Sequence, residues 1–195
     1  SVNIILRNPD LRLQASDILV DYCLGATQSV TVSNAVGANI GTAREVRVEL
    51  YGLNLEDYEI EDHPDSDFEL SIEGQLAVFT LVKGIDGDGG GLPNDIARDS
   101  DYDLSFNIRV KPGVCEPAPG GLLIYQPVYE DSCGIPYSAG TQLASYGRSP
   151  RPTVSFTKSG PSTAQVGDKN LSWTINVDYR GVPNSPLKYD FTDNY

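Results

Sequence analysis

The chain has 195 residues, 39% of them hydrophobic and none of them Met, and its formal net charge is −13. That charge argues against nucleic acid and anionic membrane as direct partners, since both would repel it. No apolar run is long enough to cross a bilayer as a helix, so direct membrane insertion is not expected.

Gly and Pro are plentiful, and Val, Ile, Thr and Tyr recur in short alternating runs, so the composition predicts an all-β chain built as a β-sandwich. No segment keeps a 3.6-residue apolar period between caps, and almost no helix is expected. At the amino terminus, residues 1–8 read as the end of a preceding module, with Val2-Asn3-Ile4-Ile5-Leu6 as its closing strand. A complete module is expected over residues 9–149. Its strands start at Leu11–Leu13 and Ile18–Tyr22, followed by Gln28–Ser33, which alternates apolar and polar as a half-buried strand does. Arg44–Leu50 comes next, with Val46, Val48 and Leu50 inward and Glu45, Arg47 and Glu49 outward.

After Tyr51-Gly52 the charge becomes one-sided. Glu56 to Asp103 holds 15 acidic residues against only Lys83 and Arg98, whereas the remainder has 12 acids and 12 bases. His63, the one histidine, lies here in Glu61-Asp62-His63-Pro64-Asp65 with no Ser or Cys motif beside it. Strands are predicted at Glu69–Ile72 and Leu76–Val82. The Gly-rich loop Asp86-Gly87-Asp88-Gly89-Gly90-Gly91 follows. Alternate carboxylates with a following Gly open many calcium loops, because they let the backbone wrap a hard cation in oxygen ligands. Asp86, Asp88 and Asp95, with Asp99, Asp101 and Asp103 close behind, are therefore candidate calcium ligands, and calcium is the one candidate cofactor. Ala97 stands where an EF-hand from Asp86 would need its twelfth-position Glu, so a solvated acidic loop is the competing reading.

Tyr102–Val110 is the clearest strand, with Leu104, Phe106, Ile108 and Val110 on one face, and Lys111-Pro112-Gly113 ends it. Leu122–Tyr129 and Gln142–Tyr146 read as a hairpin across Asp131-Ser132-Cys133-Gly134. The cysteines are Cys23, Cys115 and Cys133, without a CxxC and with too few histidines for a zinc site, which favours an extracellular disulfide. Cys115 and Cys133 bracket a Pro-, Gly- and Tyr-rich segment, and closing it would contribute roughly 3 kcal/mol on the chain-entropy model. Cys23 with Cys115 is the rival pairing. Tyr125, Tyr129, Tyr137 and Tyr146 cluster around the hairpin, either as half-buried sandwich residues or as a sticky binding surface. No GxSxG, HExxH, phosphate-loop or dinucleotide pattern occurs, and no catalytic residue is assigned. A carboxylate hydrolase would need two acids facing each other across a cleft, which abundance alone does not supply.

Arg148-Ser149-Pro150 echoes Arg7-Asn8-Pro9 at an offset of 141, and at an offset of 143 Val30, Val32, Val46 and Val48 superpose on Trp173, Ile175, Tyr189 and Phe191. Keeping a period-two register over two strands marks a repeat, so a second, incomplete module is expected over residues 150–195. Its strands are Thr153–Phe156, Leu171–Val177 and Leu187–Phe191, with Lys158-Ser159-Gly160 as a turn. Three strands leave one sheet face bare. Trp173, Ile175, Tyr189 and Phe191 are thus expected to form an assembly face, covered by further modules of the same chain or by neighbouring copies through strand complementation.

The second module carries Val154-Ser155-Phe156-Thr157-Lys158-Ser159-Gly160-Pro161, then Val166-Gly167-Asp168, then Leu171-Ser172-Trp173-Thr174-Ile175-Asn176-Val177 and Tyr189-Asp190-Phe191-Thr192-Asp193. In this order it resembles the immunoglobulin-like conserved-repeat domains of bacterial and archaeal surface proteins. The first module shares Thr31-Val32-Ser33-Asn34 and the strand around Phe106, with Cys23-Leu24-Gly25 in place of the Val-Gly-Asp turn. The resemblance implies immunoglobulin-like β-sandwich modules in tandem, extracellular or at the cell surface. They would be non-catalytic structural or assembly elements of a filament, sheath, S-layer or adhesin. The alternative is an extracellular binding module that recognises a basic protein or a glycan through its acidic and Tyr-rich loops.

Overall fold

In a computed structural model of the chain, residues 7–87, 89–151, 153–161, 163 and 172–180 are described, and every regular element among them is a β-strand. The strands expected at Val2–Leu6 and Leu187–Phe191 lie outside the described residues. The chain divides into two compact units, Ser1–Ser149 and Pro150–Tyr195. None of the described residues forms a helix long and apolar enough to cross a membrane.

The first unit contains β1 (Leu11–Ala15), β2 (Ile18–Val20), β3 (Ala26–Asn34), β4 (Arg44–Tyr51), β5 (Tyr58–Asp62) and β6 (Phe68–Glu73). It continues with β7 (Leu76–Leu81), β8 (Ser100–Val110), β9 (Gly120–Glu130), β10 (Pro136–Ser138) and β11 (Gln142–Arg148). One sheet has the order β1-β3-β8-β5, and the other β2-β11-β9-β4-β7-β6 with β10 also on β9. All pairings between these strands are antiparallel except β2 with β11, where Ile18, Leu19 and Val20 run beside Tyr146, Gly147 and Arg148.

Alternation decides which residues meet between the sheets. Val30 and Val32 on β3 and Leu104, Phe106 and Ile108 on β8 are fully buried, as are Val46 and Val48 on β4, Phe79 on β7 and Leu123 and Tyr125 on β9. Phe79 and Phe106 lock the two layers, their ring centroids 4.8 Å apart. Burial of each such side chain stabilises the fold by about 1.5–3 kcal/mol. The inward sets expected for β4 and β8 are therefore the core.

Two strands escape the sequence pattern. In β5, Tyr58 and Ile60 point inward between Glu59 and Glu61, so acidic letters hide a regular alternation. In β10 only Pro136 to Ser138 pair, opposite Glu130 to Val128, which is too short to show any period.

The second unit contributes β12 (Thr153–Ser159) and β13 (Thr174–Arg180), an antiparallel ribbon. Lys158 and Ser159 continue β12 rather than turning the chain, because they pair with Ile175 and Thr174.

Candidate functional site

The acidic segment was the first candidate, and its carboxylates have separate tasks. The β4–β9 register shifts between Arg44 and Arg47, and within this bulge Glu45 adopts a left-handed φ of 49°. Such a conformation persists in a non-Gly residue only when its surroundings fix it. Asp95 does so. Fully buried, it accepts the Glu45 N–H at 3.0 Å on Oδ1 and the Gly87 N–H at 2.9 Å on Oδ2. Beside it, Ala43 and Ile96 exchange backbone bonds at 3.0 and 2.8 Å, and Val46 N–H donates to the Asn94 carbonyl at 2.9 Å. A Cβ on Gly87 would lie 2.8 Å from Asp95 Oδ2, so glycine lets the loop close onto the carboxylate. The buried acid ties the root of the Gly-rich loop to the bulge of β4.

The other described candidate ligands have contacts of their own. Asp86 caps its own loop, accepting the Gly91 N–H at 3.1 Å, and Asp88 lies outside the described residues. Asp99, at a φ of 60°, and Asp101 line a shallow cleft with Arg12, while Asp103 donates its N–H to Asp67 Oδ2 at 2.9 Å. Among the described residues no group of three His, Cys, Asp or Glu side chains could hold a metal ion. His63 also serves its own turn, its Nδ1 accepting the Asp65 N–H at 3.3 Å.

The tyrosine cluster is largely core. Tyr125, Tyr129 and Tyr146 are buried, Tyr146 meets Tyr58 edge-on at 5.6 Å, and Tyr129 stacks on Tyr137 at 5.9 Å. Burial pushes the Tyr125 phenol well above the usual tyrosine range, and Gln28 beside the hydroxyl eases the shift. Alternation along β9 and β11 turns Tyr125, Tyr129 and Tyr146 inward, while Tyr137 on β10 is half-buried.

The three cysteines are free and exposed, which corrects the expected Cys115–Cys133 bridge. The reason is geometric. Cys115 precedes β9 and Cys133 follows it, and 11 residues of strand hold the two ends about 35 Å apart. No disulfide spans such a distance. Cys133 instead sits in a turn organised by Asp131, whose Oδ1 accepts the Cys133 and Ile135 N–H groups at 2.8 and 3.0 Å. The Ile135 and Cys133 amides, the Tyr137 hydroxyl and the nearby Arg44 hold the Asp131 carboxyl below its usual range, against partial desolvation.

Among the described residues, exposed apolar side chains line up across neighbouring strands on the ribbon and on the larger sheet of the first unit. On the ribbon, Val154, Phe156 and Lys158 of β12 share a face with Ile175, Val177 and Tyr179 of β13. Trp173 is 51% exposed, Ile175 51%, Val177 53%, Tyr179 37% and Phe156 44%. The opposite face carries Ser155, Thr157, Asn176 and Asp178. Lys158 Nζ lies 4.5 Å from the centre of the Trp173 ring, a cation–π contact at one end of this face. Trp173 and Ile175 thus belong to one exposed face, to which Phe156, Val177 and Tyr179 add; Tyr189 and Phe191 lie outside the described residues. In the first unit, Tyr51 and Leu143 flank Ile124 from either side on the outer face of the larger sheet, with Leu122 and Leu19 nearby. The run Leu122-Leu123-Ile124, apolar on both faces of its strand, is the sequence signal for this second patch.

No protein-family model matches the sequence, and no curated protein matches it. Among solved structures, a cohesin module from a Clostridium perfringens family 33 glycoside hydrolase is similar over 73% of this chain and 99% of its own, at 15% identity and a TM-score of 0.42. BcpA, the major pilin subunit of Bacillus cereus, is similar over 87% of this chain and 55% of its own, at 11% identity and a TM-score of 0.41. AvmM, which catalyses macrocyclization in alchivemycin A biosynthesis, is similar over 75% of this chain and 91% of its own, at 12% identity and a TM-score of 0.46.

Proposed function

We propose that this protein is a non-catalytic structural or assembly module of an extracellular prokaryotic surface structure such as a filament, sheath, S-layer or adhesin. The observation that carries this reading is the β12–β13 ribbon, polar on one face and on the other presenting Phe156, Trp173, Ile175, Val177 and Tyr179. A two-stranded ribbon is at best marginal in water by itself, and a contiguous apolar face is stabilised only when another surface covers it. The cover is a β-surface supplied by a further module or a neighbouring copy, so the module works by being built into a larger assembly.

The single tryptophan provides the test, because Trp173 sits on the face itself. As protein concentration rises, sedimentation velocity should show association while Trp173 emission moves to the blue and acrylamide quenching falls. Ile175→Asp and Val177→Asp should abolish both changes. A chain that remains monomeric, with Trp173 equally quenched at every concentration, would overturn the proposal.

A further inference from the structure

One end of the sandwich in the first unit carries two of the three thiols, and they line the same open cleft. Its volume is about 580 Å³, and Tyr22, Cys23, Arg109, Lys111, Val114 and Cys115 are among its walls. Cys23 sits at the tip of a tight turn from β2 to β3. Asp21 and Gly25 close this turn with two backbone bonds of 3.2 and 3.0 Å, and Asp21 Oδ1 accepts the Cys23 and Leu24 N–H groups, each at 2.8 Å. Gly25, at a φ of 75°, lies so close to β8 that a Cβ there would come within 2.5 Å of the Ile108 carbonyl oxygen. The Cys23 turn is therefore fixed in shape and in its seat on β8.

Cys115 lies in the connection from β8 to β9, whose first turn is closed by a bond from Val114 N–H to the Lys111 carbonyl at 3.2 Å. The two turns are tied together by the residue next to Cys23. Tyr22 Oη donates to the carbonyl of Cys115 at 2.8 Å and approaches that of Val114 at 3.1 Å. Both thiols are exposed to solvent and line the same cleft, and Cys115 Sγ is turned toward the Gly113 carbonyl at 3.9 Å.

We propose that Cys23 and Cys115 form an intrachain disulfide that fastens this end of the sandwich, and that Cys133 takes no part in it. The oxidant is a disulfide, either a small one such as glutathione disulfide or one carried by a thiol oxidoreductase. One thiol of the pair loses its proton and attacks the oxidant's S–S bond, releasing one thiolate and leaving a mixed disulfide. The second then displaces the other half as a thiolate, so the protein pair is oxidised by two electrons, the oxidant yields two thiols, and the two protons lost from Cys23 and Cys115 end on them. Each of the joined connections crosses from one sheet to the other, β2 to β3 and β8 to β9, so a bond between them holds both layers at once.

The test uses the full chain, treated with excess glutathione disulfide or with reductant and then alkylated under denaturing conditions. Digestion after glutamate at Glu116 and Glu130 separates Cys115 from Cys133, so mass spectrometry can assign each thiol. In the oxidised chain a linked peptide should join Cys23 to Cys115, and Cys133 should carry either an alkyl group or a single glutathione adduct. Its melting temperature should exceed that of the reduced chain by roughly 10 °C, given the length of the loop closed. Cys133→Ser should keep that difference, whereas Cys23→Ser and Cys115→Ser should each remove it. Three alkylated thiols after oxidation, or a bridge that includes Cys133, would overturn the proposal whatever the variants do.

Discussion

Asp95 shows how one sequence pattern can carry two readings. Its spacing from Asp86 and Asp88 reads as a calcium loop, yet a buried carboxylate that accepts two backbone amides is written in the same letters. Asp95→Ala would leave the Glu45 and Gly87 amides without their acceptor, at a cost of about 2–4 kcal/mol. The expected fall in melting temperature, followed by circular dichroism, is about 5–15 °C. Asp95→Asn should also destabilise, since its amide NH2 must face one of the two N–H donors. Tyr125 should behave differently. Its hydroxyl is buried with no well-formed hydrogen bond among the described residues and only Gln28 beside it, so Tyr125→Phe is expected to change stability by no more than about 1 kcal/mol in a denaturant titration. Asp131 makes stability depend on pH. Its folded pKa is lowered, so its contribution is complete above the unfolded carboxyl value of about 3.9 and is lost as pH falls through the folded value. Asp131→Asn should therefore lower the melting temperature at neutral pH, and the gap to the parent chain should narrow on acidification below about pH 4.

At the scale of elements, β5 and β6 end the two sheets, and both open edges carry acids: Glu59, Glu61 and Asp62 on one, Glu69 and Glu73 on the other. Arg109 pairs with Glu59 and Glu61 from the neighbouring strand β8, which leaves the β6 acids the less compensated pair. Charge on an edge strand discourages another chain from pairing with its free N–H and C=O groups. Replacing Glu69 and Glu73 together by Thr should therefore promote edge-to-edge association, seen as larger species by light scattering, without loss of the native fold. Strands that alternate cleanly, such as β4 and β8, were readable down to their inward residues. The acidic β5 and the three-residue β10 were not, since one hides its period under charge and the other has none to show. Only the first half of the ribbon's apolar row was assigned from the repeat. The continuation through Val177 and Tyr179 follows the same period of two, but the repeat register did not point to it.

For the whole molecule, the net charge of −13 opposes any association between copies, and the excess of acid is concentrated between Glu56 and Asp103. Apolar contact through the ribbon must therefore overcome a long-range repulsion that salt screens. Association measured by sedimentation should strengthen as ionic strength rises from about 0.01 to about 0.15 M, over which the Debye length falls from about 30 to about 8 Å. Contact driven by opposite charges would weaken over the same range. The one parallel pairing between the described strands of the first unit, β2 beside β11, has a further consequence for a module held under load. If the unit is pulled by the start of β2 and the end of β11, the two strands are drawn past each other along their length. Their hydrogen bonds are then loaded together in shear, instead of being unzipped one by one as they would be in an antiparallel pair pulled from adjacent ends. Tension applied in that direction would load the short ladder where Ile18 to Val20 lie beside Tyr146 to Arg148.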